Sequence, residues 1–233
     1  NNNAALYPWL KIQHQMGSTV ASLCIGAFLL GESGLADYRE CSTHWAFCDI
    51  FQSRYPLSKV VDGAIITQND RVYTSGGANS LWNLLLYLLE KYTDRTLAIQ
   101  ASKFFAIDIN RDSQHHFTIF SGQKKHNDET VLELQNYIEQ HYAAKTSIED
   151  LAAMTNTSRR NLERRFKNAT HNTVAGYMQR VRVEAAKRSF EQSKKNVTEV
   201  MYEVGYNDVK AFREVFKKVT GLSPLEYRNR YTN

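Results

Sequence analysis

Ser158-Arg-Arg-Asn-Leu-Glu-Arg-Arg-Phe-Lys167 is the stretch from which the rest of the chain is understood. On a helical wheel Leu162, Phe166 and Ala169 fall on one side and Arg160, Arg164 and Lys167 on the other, which describes a helix with a packed face and a cationic face. Just upstream, Ser147-Ile-Glu-Asp150 has the form of a capping box and predicts a short helix from Ile148 to about Thr155, with Leu151 and Ala152 inward. The break Asn156-Thr157-Ser158 then separates two short helices, the spacing of a helix-turn-helix. The pattern returns downstream. Val197 to Glu203 predicts a helix stopped by Gly205, followed from Asn207 or Asp208 by a helix with Phe212, Val215, Phe216 and Val219 inward. Lys210, Arg213 and Lys217 lie opposite. Between the two pairs, Val174 to Gln192 predicts one continuous helix with a stripe of Met178, Val181, Ala185 and Ser189.

With Tyr177, Arg182, Ala186 and the closing Gly221-Leu-Ser-Pro-Leu-Glu-Tyr-Arg228, these residues resemble the double helix-turn-helix domain of AraC/XylS-type transcription regulators. The resemblance covers roughly 100 C-terminal residues. It implies sequence-specific binding of double-stranded DNA, with Arg159, Arg160, Glu163, Arg164 and Lys167 on the first recognition helix and Val209, Lys210, Arg213, Lys217 and Lys218 on the second. Arg160 and Arg164 are the base readers expected of the first, because a guanidinium bonds O6 and N7 of guanine together. Val209 can meet a thymine methyl, and Lys217 and Lys218 suit phosphate. Glu163, Glu214 and His171 depart from the family's pattern. Glu163 either accepts from cytosine N4 or pairs with Arg159 or Lys167.

Charge supports this division. Residues 126–233 hold 18 Lys and Arg against 14 Asp and Glu, +4 of the chain's +5. With 233 residues and 42% hydrophobic content, the chain can bury two modest cores. No apolar run is long enough for a membrane span. Three cysteines, Cys24, Cys41 and Cys48, fit a reducing cytoplasm better than a disulfide framework, and their spacing matches no zinc site. The opening Asn1-Asn2-Asn3, without Met, leads us to expect a fragment.

In the N-terminal half, strands alternate with helices, the pattern of an open α/β layer. A helix tail is expected over Pro8–Gln15, a buried strand over Val20–Cys24, a helix from Ile25 to Gly31 or Gly34, and a hairpin of Val61–Thr67 with Arg71–Thr74. Helices follow over Asn79–Tyr92 and Thr96–Ile107. Ser22-Leu-Cys-Ile-Gly-Ala-Phe28, Ser33-Gly-Leu-Ala-Asp37, Ser42-Thr-His-Trp45 and Thr74-Ser-Gly-Gly77 resemble the later part of the amidotransferase-like (ThiJ/PfpI-like) domain that precedes the DNA-binding domain in one branch of AraC-type regulators. This implies a partial flavodoxin-like, class I glutamine amidotransferase-like α/β domain over residues 1–120, a linker over 121–128 in a polar stretch that includes His115 and His116, and an all-α domain over 129–233.

The domain's implied roles are sensing of a small-molecule effector, with a pocket near Cys24, Gly26, Thr43, His44 and Gly76, and homodimer formation. RNA polymerase is a further expected partner; no cofactor, metal or catalysis is expected. The rival reading is a cysteine hydrolase or amidase with Cys24 as nucleophile at a strand-to-helix turn and His44 as base. Ile25 stands where catalytic relatives carry histidine.

Overall fold

The structure, a computed structural model, describes residues 3–108 and 113–232. Residues 109–112 of the polar stretch and the side chain of His116 lie outside the described residues. The chain forms two units, 1–118 and 119–233.

In the first unit, helix α1 (Leu6–Gln15) precedes strand β1 (Val20–Leu23), and a single 3-10 turn (Cys24–Gly26) leads into α2 (Ala27–Ser33), which stops at Gly34. Next come β2 (Glu40–Cys41), α3 (Cys48–Arg54), β3 (Lys59–Val60), β4 (Ile66–Asn69), β5 (Val72–Ser75), α4 (Ser80–Tyr92) and α5 (Arg95–Phe104). The main sheet has the order β1-β5-β4, with β1 and β5 parallel and β4 antiparallel to β5; β2 and β3 form a parallel pair beside it. Threonines join the two sheets. Thr67 donates to the Glu40 carbonyl at 3.1 Å, and the Ser42 N–H donates to Thr74 Oγ1 at 2.6 Å. Val20, Leu30, Phe51 and Val72 are buried together, and Phe28 meets Phe51 edge-on at 5.2 Å.

Three expectations change here. β1 alternates buried and exposed residues rather than being buried throughout, with Leu23 40% exposed. The hairpin's first strand begins at Ile66, not Val61, because Val61 continues the β2–β3 pairing through Cys41 and Gly63 (φ 72) then turns the chain. α5 ends at Phe104. Ala106 turns left-handed (φ 54) and the Ile107 N–H reaches back to the Ser102 carbonyl at 2.8 Å, a Schellman closure.

The second unit is helical: α6 (Glu129–Gln140), α7 (Ile148–Met154), α8 (Arg159–Thr170), α9 (Val174–Gln192), α10 (Val197–Glu203), α11 (Val209–Thr220) and α12 (Pro224–Tyr231). It holds two cores. Val131, Leu134, Leu151, Leu162, Phe166 and Tyr177 make the first; Phe190, Val200, Met201, Phe212, Phe216 and Tyr227 make the second. α9 serves both, and this alters the single stripe expected for it. Val174, Tyr177 and Val181 pack in the first core, while Val183, Ala186 and Phe190 pack in the second. At about 100° per residue these two sets lie on opposite faces of the helix, so no one stripe could serve both. Ser189 is only half-buried and donates to Glu203 at 2.7 Å.

Candidate nucleic-acid interface

The two recognition helices are built alike. In α8 the Ser158 hydroxyl accepts the Asn161 N–H, and in α11 the Asp208 carboxylate accepts the Ala211 N–H, so each start has one of its unpaired donors satisfied. Leu162 and Phe166 anchor α8, and Phe212 and Phe216 anchor α11, all essentially inaccessible. Each helix ends on a threonine whose hydroxyl donates back one turn, Thr170 to Phe166 at 2.7 Å and Thr220 to Phe216 at 2.8 Å. A left-handed residue follows each, His171 at φ 58 and Gly221 at φ 76. The turns into these helices differ: Asn156 (φ 51) closes α7 two residues before the Ser158 cap, whereas Gly205 (φ 84) closes α10 three residues before Asp208. A Cβ at Gly205 would also run into the Ala143 backbone.

The same packing decides what faces outward. Arg160, Arg164 and Lys167 are exposed on α8; Val209, Lys210, Arg213, Glu214, Lys217 and Lys218 are exposed on α11. Arg164 donates to Asn161 Oδ1 at 3.0 Å. Lys217 lies near enough to Glu226 to help hold that carboxyl below its usual range, after the Ser223 hydrogen bonds. Arg160, Lys167, Lys210, Arg213 and Lys218 make no hydrogen bond or ion pair within the described residues. Arg159 is engaged, at 2.5 Å from Glu149 and 3.3 Å from Glu163, so it ties α7 to α8 and pairs with Glu163 one turn along its own helix.

One arginine of α8 was not singled out by sequence. Arg165 forms a two-pronged pair with Asp128, at 3.0 and 2.7 Å, and that carboxylate also caps α6 through the Val131 N–H at 3.1 Å. Its legible trace is Asp128 immediately before a helical periodicity. Residues 121–128, expected as a linker, are bonded onto the second unit: Gln123 accepts from Asn172 at 3.0 Å, and Lys124 meets Glu139 at 2.6 Å.

In the first unit Cys24 adopts φ 55 at the end of β1, and its carbonyl accepts the Thr43 hydroxyl at 3.0 Å. Gly26 follows on the 3-10 turn. His44 Nδ1 accepts the Ala46 N–H at 3.2 Å, which leaves the proton of a neutral ring on Nε2. Gln114, unnoticed in the sequence because it lies in a polar stretch without periodicity, is 2% exposed. Its amide oxygen takes the Gly77 N–H at 2.7 Å, and its amide nitrogen donates to Thr43 O at 3.1 Å and Ala64 O at 2.8 Å. It lies on Gly76, where any side chain would collide with it. Burial raises the Cys41 and Cys48 thiols to about 11 and about 12. No group of three or more His, Cys, Asp or Glu among the described residues could hold a metal ion.

Comparison with known proteins finds a counterpart for each unit. Residues 151–230 match the model of a helix-turn-helix domain, and residues 1–91 match that of the DJ-1/PfpI family. The HTH-type transcriptional regulator GbdR of Pseudomonas aeruginosa is 25% identical over 224 residues, covering 94% of this chain; the chain spans 60% of that regulator's length. An uncharacterized HTH-type transcriptional regulator of Pseudoalteromonas carrageenovora is 36% identical over 123 residues, 53% of this chain and 73% of that protein. Among solved structures, the C-terminal domain of AraT, a response regulator from Geobacillus stearothermophilus, aligns with a TM-score of 0.44 at 25% identity, covering 46% of this chain and 88% of its own.

Proposed function

This chain belongs to the AraC-type helix-turn-helix transcription regulators that carry a DJ-1/PfpI-family domain, and from that premise we infer that it binds double-stranded DNA sequence-specifically through α8 and α11. The observation that carries the reading is the pair of capped, core-anchored helices whose outer faces present unpaired cations, Arg160 and Lys167 on one and Lys210, Arg213 and Lys218 on the other. A guanidinium or ammonium without a protein partner can replace the counterions of DNA phosphates or bond base edges. Arg160 and Arg164 read bases; Lys217 and Lys218 position the backbone; Arg159 and Glu163 brace the turn. Titrating the full chain against duplex DNA at increasing salt tests this. Affinity should fall linearly on a log–log scale, and binding that is absent or indifferent to salt removes the reading.

The first unit serves as the input domain, taking a small-molecule effector near Cys24, Gly26, Thr43, His44 and Gly76 and pairing two copies. The regulator works in the cytoplasm, beside RNA polymerase; among the described residues no helix is long and apolar enough to cross a membrane. The rival reading, a hydrolase using Cys24, finds little support. His44 has its Nδ1 lone pair engaged by the Ala46 N–H, no hydrogen bond joins it to Cys24 among the described residues, and Ile25 follows the cysteine. A base must have a free lone pair within reach of the proton it takes. Cys24→Ser should leave DNA affinity unchanged and abolish no amide or ester turnover; hydrolysis lost in that variant would reinstate the enzyme.

A further inference from the structure

The two helix-turn-helix units are offset by about fifty positions, which makes their differences informative. In the first unit, residues 119–128 lie across the helices as a strap. The Phe120 ring meets Tyr177 edge-on at 5.2 Å. The Gln123 carbonyl accepts from Gln135, a wholly buried side chain, at 3.0 Å, and Gln135 Oε1 lies 3.0 Å from His126 Nε2. One contact reaches the recognition helix itself and a second reaches the turn that closes it. Asp128 grips Arg165 in mid-α8, and Gln123 holds Asn172, one residue past the left-handed end of α8. In the second unit the matching positions are Val215 and Leu222, both apolar and both packed against their own core. There the ring beside Tyr227 is Tyr231, one turn further along α12, at 4.6 Å with the two planes tilted by 41°, where Tyr177 has Phe120.

Thus, among the described residues, the segment through which the first unit is covalently joined to the second is bonded to one recognition helix and not to the other. A two-pronged arginine–carboxylate pair fixes orientation as well as distance, so it constrains the roll of α8 about its axis. The order of the chain adds to this. The strap begins immediately after Ser113–Thr118, where Gln114 is buried in the first unit against Gly76 and Gly77.

We propose that residues 119–128 are a positioning strap that sets the pose of α8 alone, so that a change in the first unit alters reading by the first helix-turn-helix while α11 binds unaltered. Asp128 and Gln123 act through Arg165 and Asn172, not on DNA. The inference rests on the DNA-binding reading above, but its mechanical part can be tested without DNA.

Gly122 supplies the perturbation. It sits at φ 70 directly against the Tyr177 hydroxyl, where a Cβ would collide, so Gly122→Ala lifts the strap without altering the sequence of α8. In the full chain, amide hydrogen exchange should accelerate several-fold in α8 and the turn through Asn172 and stay unchanged in α11. On DNA selected by the unaltered chain, affinity should drop roughly tenfold when only the first half-site is intact and stay level when only the second is. Gln123→Ala, which strains no backbone, should move both readouts in the same direction by less and serves if the alanine at 122 prevents folding. Unchanged exchange in α8 overturns the strap whatever happens on DNA. Equal loss on both half-sites overturns its selectivity, since a general loss of folding would produce that. Altered exchange with no DNA binding by the unaltered chain removes the DNA-binding reading instead, and the regulatory claim with it.

Discussion

The first and second helix-turn-helix units share a scaffold and differ on its surfaces. Both bury a phenol that donates at 2.5 Å to a carboxylate on the preceding long helix, Tyr177 to Glu139 and Tyr227 to Glu191; burial first, and that carboxylate second, raises each phenol above its usual range. Both end the recognition helix on a back-bonded threonine. Their outer faces diverge: where α8 has Arg160, Glu163 and Arg164, α11 has Lys210, Arg213 and Glu214. One short apolar and capping pattern, used twice, maintains the fold, while the exposed positions that packing leaves free differ between the two units.

If the scaffolds are equivalent, the largest effects should be matched ones. Phe166→Ala and Phe216→Ala each empty a fully buried site and should cost about 3–5 kcal/mol in urea unfolding of the full chain. A large inequality would show that one unit depends on the other for its stability.

The faces should differ instead in kind. Arg160→Ala and Arg164→Ala should each lose about 1–3 kcal/mol on the preferred site and relax choice at particular base pairs. Lys218→Ala should weaken all sequences alike and reduce the salt slope by about one. Binding of point variants to specific and random duplexes separates these, and equal losses on both for the arginine variants would remove their base-reading role.

Acid should distinguish the units as well. The Arg165 guanidinium beside Asp128 holds its carboxyl below the usual carboxylate range, an effect that outweighs the opposing burial. A depressed folded pKa adds stability that is present above the unfolded value, about 4, and is lost as pH falls through the folded value. Asp128→Asn should therefore lower stability at neutral pH and flatten its acid dependence below about pH 4, seen in unfolding across that range; an unchanged profile would show that the pair adds nothing.

The smallest effect concerns the helix ends. His171 carries a side chain at a left-handed position where the second unit has Gly221. His171→Gly should stabilise by up to about 1 kcal/mol, and Gly221→Ala should destabilise by a similar amount. Thermal unfolding of the two variants checks both signs.

Much of the second unit is visible in the sequence because its signals are local. Ser147, Ser158 and Asp208 announce helix starts by side-chain capping, Gly205 marks a stop, and Leu162, Phe166, Phe212 and Phe216 repeat at helical spacing. The cationic faces follow from the same periodicity. What escapes notice depends on partners distant in sequence. Arg165 looks like any surface arginine until Asp128 is beside it, 37 residues away, and Gln114 looks like linker until it lies on Gly76 and Gly77. The β2–β3 pair is two residues long on each side, too short for an alternating pattern, and the opposite buried faces of α9 dilute each other into a weak stripe.

In the proposed mode of binding one rigid helix, α9, carries two DNA-reading units. α9 has 19 residues, which at 1.5 Å each is about 28 Å, close to one turn of DNA once the offsets of α8 and α11 are added. Hydroxyl-radical footprinting of the full chain, on the site it selects from a random pool, tests this most directly. Two protected patches are expected on one face of the duplex, about 10 base pairs apart, over two unlike half-sites for each bound chain. Protection of a single groove per chain, or a strict requirement for an inverted repeat with one contact per copy, would contradict it.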